Sequence, residues 1–208
     1  MQTPHSLYNQ LLAQNLIANL AARNMEGFYC EGAEEARKKI TELIPAGSSI
    51  SCGGSATLHQ IGLRAVLKNG DYRFLDPDDG KTGADKDAIA HEALGVDYYL
   101  MSSNAIAATG ELVNADGYGN RVGALIFGPK KVIVIAGMNK VAPSLEDAIA
   151  RVKTCAAPKT MLIFKRDYAT LAQLQAAAEL AQSQFVITHR APIKGRITVL
   201  LIGEALGY

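Results

Sequence analysis

The sequence predicts an α/β fold, a mostly parallel sheet with helices on both faces, and three observations carry that reading. Short apolar runs alternate with amphipathic stretches of roughly 10–15 residues along most of the chain, as strand–helix crossovers require. Lys131-Val-Ile-Val-Ile-Ala136 is β-branched and unbroken, the signature of a strand buried on both sides. Glycine and proline punctuate the junctions, at Gly53-Gly54, Gly128-Pro129 and Gly137.

The elements follow in order. Leu7, Leu11, Leu12, Leu16, Ile17 and Leu20 share one face of a helix over 5–24, ended by Gly27 and expected to pack on the α/β core. Gly27-Phe-Tyr-Cys30 is a short strand, and 31–43 is a charged, Ala-rich helix stopping before Pro45. Ser48-Ser-Ile-Ser-Cys52 is a strand running into Gly53-Gly54-Ser55, with a helix from 56 to 67. Residues 71–75 form a strand and Asp76-Pro-Asp-Asp-Gly80 a turn. A helix over 85–94 precedes an apolar strand over 96–102, a Gly- and Asn-rich segment to Arg121, and a short helix over 122–127. After the strand at 131–136, Ser144 caps a helix to Cys155, with Glu146 and Asp147 where the helix dipole favours anions. A helix over 168–182 and strands at 185–188 and 197–202 complete the chain, read as one domain over 1–208.

Bulk properties narrow the function classes. Hydrophobic residues make up 49% and charged residues 20%, with a formal net charge of +1, so no global field draws the chain to nucleic acid or to an anionic membrane. No run approaches the ~20 apolar residues of a membrane span. The opening MQTPHSLYNQ lacks the basic and apolar regions of a signal peptide. Cys30, Cys52 and Cys155 are too dispersed for a disulfide framework or a metal motif, and a reducing, cytoplasmic setting is expected.

In a parallel α/β sheet, ligands sit beyond the carboxyl ends of the strands, which directs attention to two loops. In Ser51-Cys52-Gly53-Gly54-Ser55-Ala56-Thr57, the glycines let a ligand approach the backbone, the helix-start amides attract an anion, and Ser55 and Thr57 add hydroxyls. A plain turn with a serine cap explains the same residues. No Gly-Lys-Ser/Thr follows, so this is not a Walker A loop. The second loop, Ser102-Ser-Asn-Ala-Ile106 through Gly119-Asn120-Arg121, gathers Asn104, Glu111, Asn114, Asp116, Asn120 and Arg121. Asp116-Gly117 and Gly119-Asn120 are also turn formers, so a hairpin satisfying its own backbone is the plain alternative. Arg121 at a helix start opposes the dipole and invites an anionic partner.

Gly53-Gly54-Ser55, Ser103-Asn-Ala-Ile106, Gly110-Glu-Leu-Val-Asn114-Ala-Asp-Gly-Tyr-Gly-Asn-Arg121, Phe127-Gly-Pro-Lys130, Asn139-Lys140, Ala156-Ala-Pro158 and Gly203-Glu-Ala-Leu-Gly-Tyr208 occur in order over nearly the whole chain. In this the sequence resembles the LUD (lactate utilization) domain family. The resemblance implies the fold of the phosphosugar-isomerase and CoA-transferase-like superfamily, with a cleft at the strand ends. It also implies work in lactate utilization beside iron–sulfur and oxidoreductase partner subunits. Members of this branch often carry clustered cysteines after Ala-Ala-Pro, but residues 161–190 here contain none. An iron–sulfur or other Cys-ligated centre within the chain is therefore disfavoured, and no metal or cofactor is expected. The stretch around Asn104 is also similar to the Gly-Ala-Asp-Ala-Ile pattern of sugar-phosphate isomerases, whose aspartate is catalytic. Asn104 stands in its place and cannot act as a base.

The expected site therefore has Gly53, Gly54, Ser55, Asn104, Asn114, Asn120 and Arg121 binding a small anionic metabolite. Glu111 and Asp116 bracket Asn114 and are the expected acid–base pair. Cys52, before a helix start that would lower its pKa, competes only if a covalent step exists. His59 and His91 lack a second histidine at helical spacing, His189 follows a strand, and Glu204 is read either as a cap or as reaching the cleft. A non-catalytic subunit docking to an oxidoreductase, and an isomerase or CoA-transferase-like enzyme, are the competing readings. Whether the chain is catalytic and whether it forms a homo-oligomer are left open.

Overall fold

The structure, a computed structural model, describes residues 3–164 and 167–208. Met1 and Gln2 of the opening decapeptide, and Lys165 and Arg166 of the cysteine-free stretch, lie outside the described residues.

Six parallel strands form the main sheet: β1 (Glu26–Cys30), β2 (Ser49–Cys52), β3 (Arg73–Leu75), β4 (Tyr98–Met101), β7 (Lys131–Gly137) and β10 (Ile197–Ile202). Their spatial order is β1-β10-β7-β4-β2-β3. The two-residue period of a strand sorts the central side chains. Val132, Val134 and Ala136 of β7 join Val199 and Leu201 of β10 in one core, against α1 (Pro4–Ala22) and α6 (Asn120–Ile126). Ile133 and Ile135 join Ile50, Leu100 and Leu200 in the other, under α2 (Ala33–Leu43), α3 (Ala56–Gln60) and α4 (Leu63–Asn69). The predicted fold class is the observed one.

A second sheet of four strands, order β8-β5-β6-β9, lies beyond the carboxyl end of β4. It comprises β5 (Ala105–Ala107), β6 (Leu112–Asp116), β8 (Val141–Ala142) and β9 (Gln184–Thr188). The β5–β6 pair is the hairpin that the turn formers allowed, and β9 joins it antiparallel to β6. Strand 185–188 thus leaves the parallel sheet to which the alternation pattern assigned it. Small residues (Ala105, Ala107, Ala115, Ala142, Ala148) with Val113 and Val152 fill this core.

Helix boundaries shift by a few residues in several places, and three of the differences have a clear local cause. Helix α1 stops at Ala22 because Asn24 turns left-handed (φ 59). Gly27 lies within β1 instead, where a Cβ would meet the Ile17 side chain at 2.8 Å, so glycine lets α1 lie close on the strand. The helix over 56–67 splits into α3 and α4 at Gly62, which is also left-handed. Beyond Cys155 the chain stays helical, from α7 (Leu145–Arg151) through a π-turn (Val152–Ala156) into α8 (Ala157–Phe164). The Ala157 amide donates to the Val152 carbonyl one residue further back than usual, which gives Pro158 room for its ring and its missing N–H. Helices α5 (Gly83–Glu92) and α9 (Leu171–Leu180) complete the set used below.

Candidate functional site

The carboxyl ends of β2, β4 and β7 open onto one cavity of about 630 Å³, whose lining reaches Tyr208, beyond β10. The Gly54-Ser55 turn and residues 102–104 contribute the strand-end side. Residues 115–118 with Asn120 and Arg121, from the end of β6 into α6, supply a polar wall, and Met161, Ile163 and Phe164 of α8 with Ala178 of α9 supply an apolar one.

Arg121 joins the two sheets. One terminal nitrogen donates to the Ser102 carbonyl (3.0 Å) and Asn114 Oδ1 (2.6 Å); the other donates to Asn104 Oδ1 (2.8 Å) and the Ala115 carbonyl (2.6 Å). Its Nε lies 3.8 Å from the Asp116 carboxylate. Four of the five N–H groups of the guanidinium thereby donate to the protein itself, and the fifth faces Asp116 beyond hydrogen-bond distance. Arg121 lines the cavity and clamps the two sheets together. Asn104 is pinned in turn, its Oδ1 also accepting from the Ala115 amide (3.1 Å). Asn114 is fully buried; its oxygen faces Arg121 and its Nδ2 has no protein partner. The charge-assisted bond to Arg121 fixes that orientation despite the unpaired donor.

Lys140 is the feature that residue-by-residue reasoning missed. It sits in the short turn Met138–Lys140 that carries the chain from β7 to β8, is only 4% exposed, and lines the cavity. Its Nζ donates to Ser102 Oγ (2.9 Å), and Ser102 Oγ donates to Thr57 Oγ1 (3.4 Å). No carboxylate pairs with it among the described residues, whereas Asp78 on the same cavity is paired to Arg64 and Asp116 to Arg121. Burial, reinforced by the charges of Arg151 and Arg121 and opposed only by Cys155, brings its pKa from 10.5 down to about 7. Asn139 and Thr57 hold the chain's last residues beside it: Asn139 Oδ1 accepts from the Leu206 amide (3.0 Å), and Thr57 Oγ1 donates to the Leu206 carbonyl (3.4 Å). The available signal was a lysine three residues beyond the β-branched strand, in the Asn139-Lys140 pair.

Of the expected residues, Gly54, Ser55, Asn104, Asp116, Asn120 and Arg121 line this cavity, while Gly53 and Asn114 stand behind it. Ser55 takes the plain role as well, its hydroxyl accepting from the Leu58 amide as the α3 cap (3.3 Å). A Cβ on Gly53 would come within 3.1 Å of the Tyr99 hydroxyl and 3.2 Å of Arg121 Cδ, so this glycine makes room for the clamp.

The two expected carboxylates do not share the cavity. Glu111 and Asp116 are five residues apart along an extended strand, roughly 16 Å, and an odd separation turns them to opposite faces. Glu111 is bound by Arg23 and Thr109 near the end of α1, away from the cavity. Burial pushes its carboxyl up, but hydrogen bonds from Thr109 and its own amide, with the charges of Arg23 and His189, outweigh this and hold it below 4.5. Asp116 alone faces the cavity, accepting from the Val122 amide (3.2 Å).

Cys52 is fully buried and its thiol is pushed up to about 11 by burial, so the lowering expected from the helix start does not occur. Glu204 caps α2, accepting from the Ala33 amide (3.0 Å). Among the described residues no three His, Cys, Asp or Glu side chains come together to hold a metal ion, and no helix is long and apolar enough to cross a membrane.

Comparison with known proteins agrees with this architecture. A DUF162 family protein from Deinococcus radiodurans superposes with a TM-score of 0.57 at 10% identity, covering 93% of this chain and 97% of that one. Ribose 5 phosphate isomerase A from Neisseria gonorrhoeae gives a TM-score of 0.40 at 15% identity over 81% and 90%, too loose a likeness to argue from. No curated protein sequence matches significantly. The family model of the LUD domain matches residues 13–202, from the middle of α1 to the last residue of β10. By that match, across both sheets and the cavity between them, the chain belongs to the LUD domain family.

Proposed function

We propose that this LUD domain, whose family relates it to lactate utilization, binds a small anionic organic acid in the strand-end cavity, with Lys140 as its counter-ion. One observation carries the reading: among the described residues no carboxylate pairs with the buried lysine on the cavity, while Asp78 and Asp116, which share the cavity, are paired with Arg64 and Arg121. An arriving carboxylate supplies the missing charge. Because burial of the ammonium is already part of the fold, the ion pair forms with much of its desolvation complete. Ser102 and Thr57 provide hydroxyls beside it. Asp116, held by Arg121 and the Val122 amide, faces the bound ligand, and Asn104, locked as an acceptor, serves as scaffold.

The test is a melting-temperature and calorimetric screen of wild type and Lys140→Met against organic acids, sugar phosphates and CoA esters. The reading expects an acid that binds and stabilises wild type, with binding lost in Lys140→Met while the fold is kept. An acid that binds both proteins equally refutes it. Sugar phosphates or CoA esters binding in place of simple acids would point to the isomerase- or transferase-like alternative.

A further inference from the structure

The cavity is much larger than the acid its family name suggests. A three-carbon hydroxy acid has six non-hydrogen atoms, whereas about 630 Å³ lies within the range of pockets that enclose drug-sized ligands. The lining is also divided. Charge and hydroxyls gather at the strand ends around Lys140 and Ser102, and the opposite wall is the α8–α9 arm with Met161, Ile163, Phe164 and Ala178. Ile163 and Phe164 are 54% and 79% exposed although they face this cavity, so most of their apolar surface is left uncovered by the described residues. Lactate seated on Lys140 leaves that wall wet.

Building on the anionic-ligand reading above, we infer that the site takes an amphiphilic monocarboxylate, its head on Lys140 and Ser102 and its hydrocarbon or aromatic body along the α8–α9 arm. Charge complementarity selects a single negative charge. Lys140 has no carboxylate partner among the described residues, and the Arg121 guanidinium beside it is already spent on protein acceptors. A phosphate dianion would bring a second charge to a cavity that Asp78 and Asp116 also line.

The experiment measures Kd for lactate, 2-hydroxyhexanoate, 2-hydroxyoctanoate and 3-phenyllactate with wild type, Lys140→Met and Ala181→Trp. Octanamide and hexyl phosphate serve as head-group controls. Ala181 lines the arm and is itself exposed, so the added ring fills the arm without entering the core. Each methylene buried against the arm tightens Kd roughly two- to fourfold, so 2-hydroxyoctanoate should bind at least about thirtyfold more tightly than lactate. Ala181→Trp should abolish that gain and leave lactate unchanged, and Lys140→Met should weaken the whole series. A flat series that still depends on Lys140 overturns the amphiphile and leaves the anion reading standing. Octanamide binding as well as the acids, or a series indifferent to Lys140→Met, overturns the anion reading. Hexyl phosphate binding more tightly than 2-hydroxyhexanoate overturns the single-charge head group.

Discussion

Replacing Lys140 by Met should make the unliganded protein more stable at neutral pH, by an amount that pH controls. The folded chain releases the Lys140 proton near 7 and the unfolded chain near 10.5, a gap worth roughly 5 kcal/mol. The sign follows from proton counting. Between these values the unfolded chain holds the extra proton, so stability rises with pH across this window; below about 7 both states are charged and the full cost of burial is present. Methionine has similar length and no charge to bury. Ser102 loses its donor but keeps Thr57 as an acceptor. Lys140→Met should thus gain about 1–4 kcal/mol at pH 6.5, as hydrophobic replacement of buried charge does elsewhere, and the gain should shrink towards zero near pH 10. Urea unfolding of both proteins at pH 6.5, 8 and 9.5 measures this, given equal m-values. A difference that does not change with pH, or a mutant destabilised at pH 6.5, would refute the claim that this amine is buried without compensation.

Three further outcomes separate the clamp from the cavity. Arg121→Ala removes four hydrogen bonds between the sheets and should lower stability by about 3–5 kcal/mol, seen as a large fall in urea midpoint; Arg121→Lys should not restore it, since an ammonium cannot span those acceptors. Glu111→Gln should cost about 1–2 kcal/mol at pH 7 and leave ligand affinity unchanged. Because the folded carboxyl titrates below 4.5, that cost should disappear as pH falls through its folded value, measured as converging melting temperatures. Gly207 has φ +64, and a Cβ there would lie 2.4 Å from Thr57 Oγ1 and 3.1 Å from Lys140 Nζ, so Gly207→Ala should cost about 1–3 kcal/mol and also weaken ligand binding, by melting and calorimetry.

The parallel sheet was legible because its strands report their own burial. The β-branched run at 131–136 reads the same whatever lies around it, and amphipathic helices mark the crossovers. The second sheet was not, because β5 and β8 have only three and two residues and carry no periodicity of their own. Strand β9 follows a helix just as a parallel strand would, and its antiparallel partner lies some seventy residues earlier. For the site, the loop at 103–121 announced itself by its density of polar residues, but density does not say whether such residues face a ligand or each other. Arg121 and Asn104 face each other. Lys140 gave a faint local signal because its environment is assembled from β4, α3 and the chain's last residues.

The pairing of β1 with β10 has a consequence for biosynthesis. Glu26 and Thr198 are register partners 172 residues apart, and β10 lies between β1 and the central strand β7. A chain growing on the ribosome therefore has β1 waiting without its neighbour, and β7 with one open hydrogen-bonding edge, until residues 197–202 emerge. Such long-range parallel pairing is slow, and the open edge invites chaperones or mispairing with another nascent chain. Tyr208 follows β10 closely and lines the cavity, so that part of the wall around Lys140 forms only once β10 has emerged. Ligand binding can thus report completed folding, and a chain stopped short of β10 should show none.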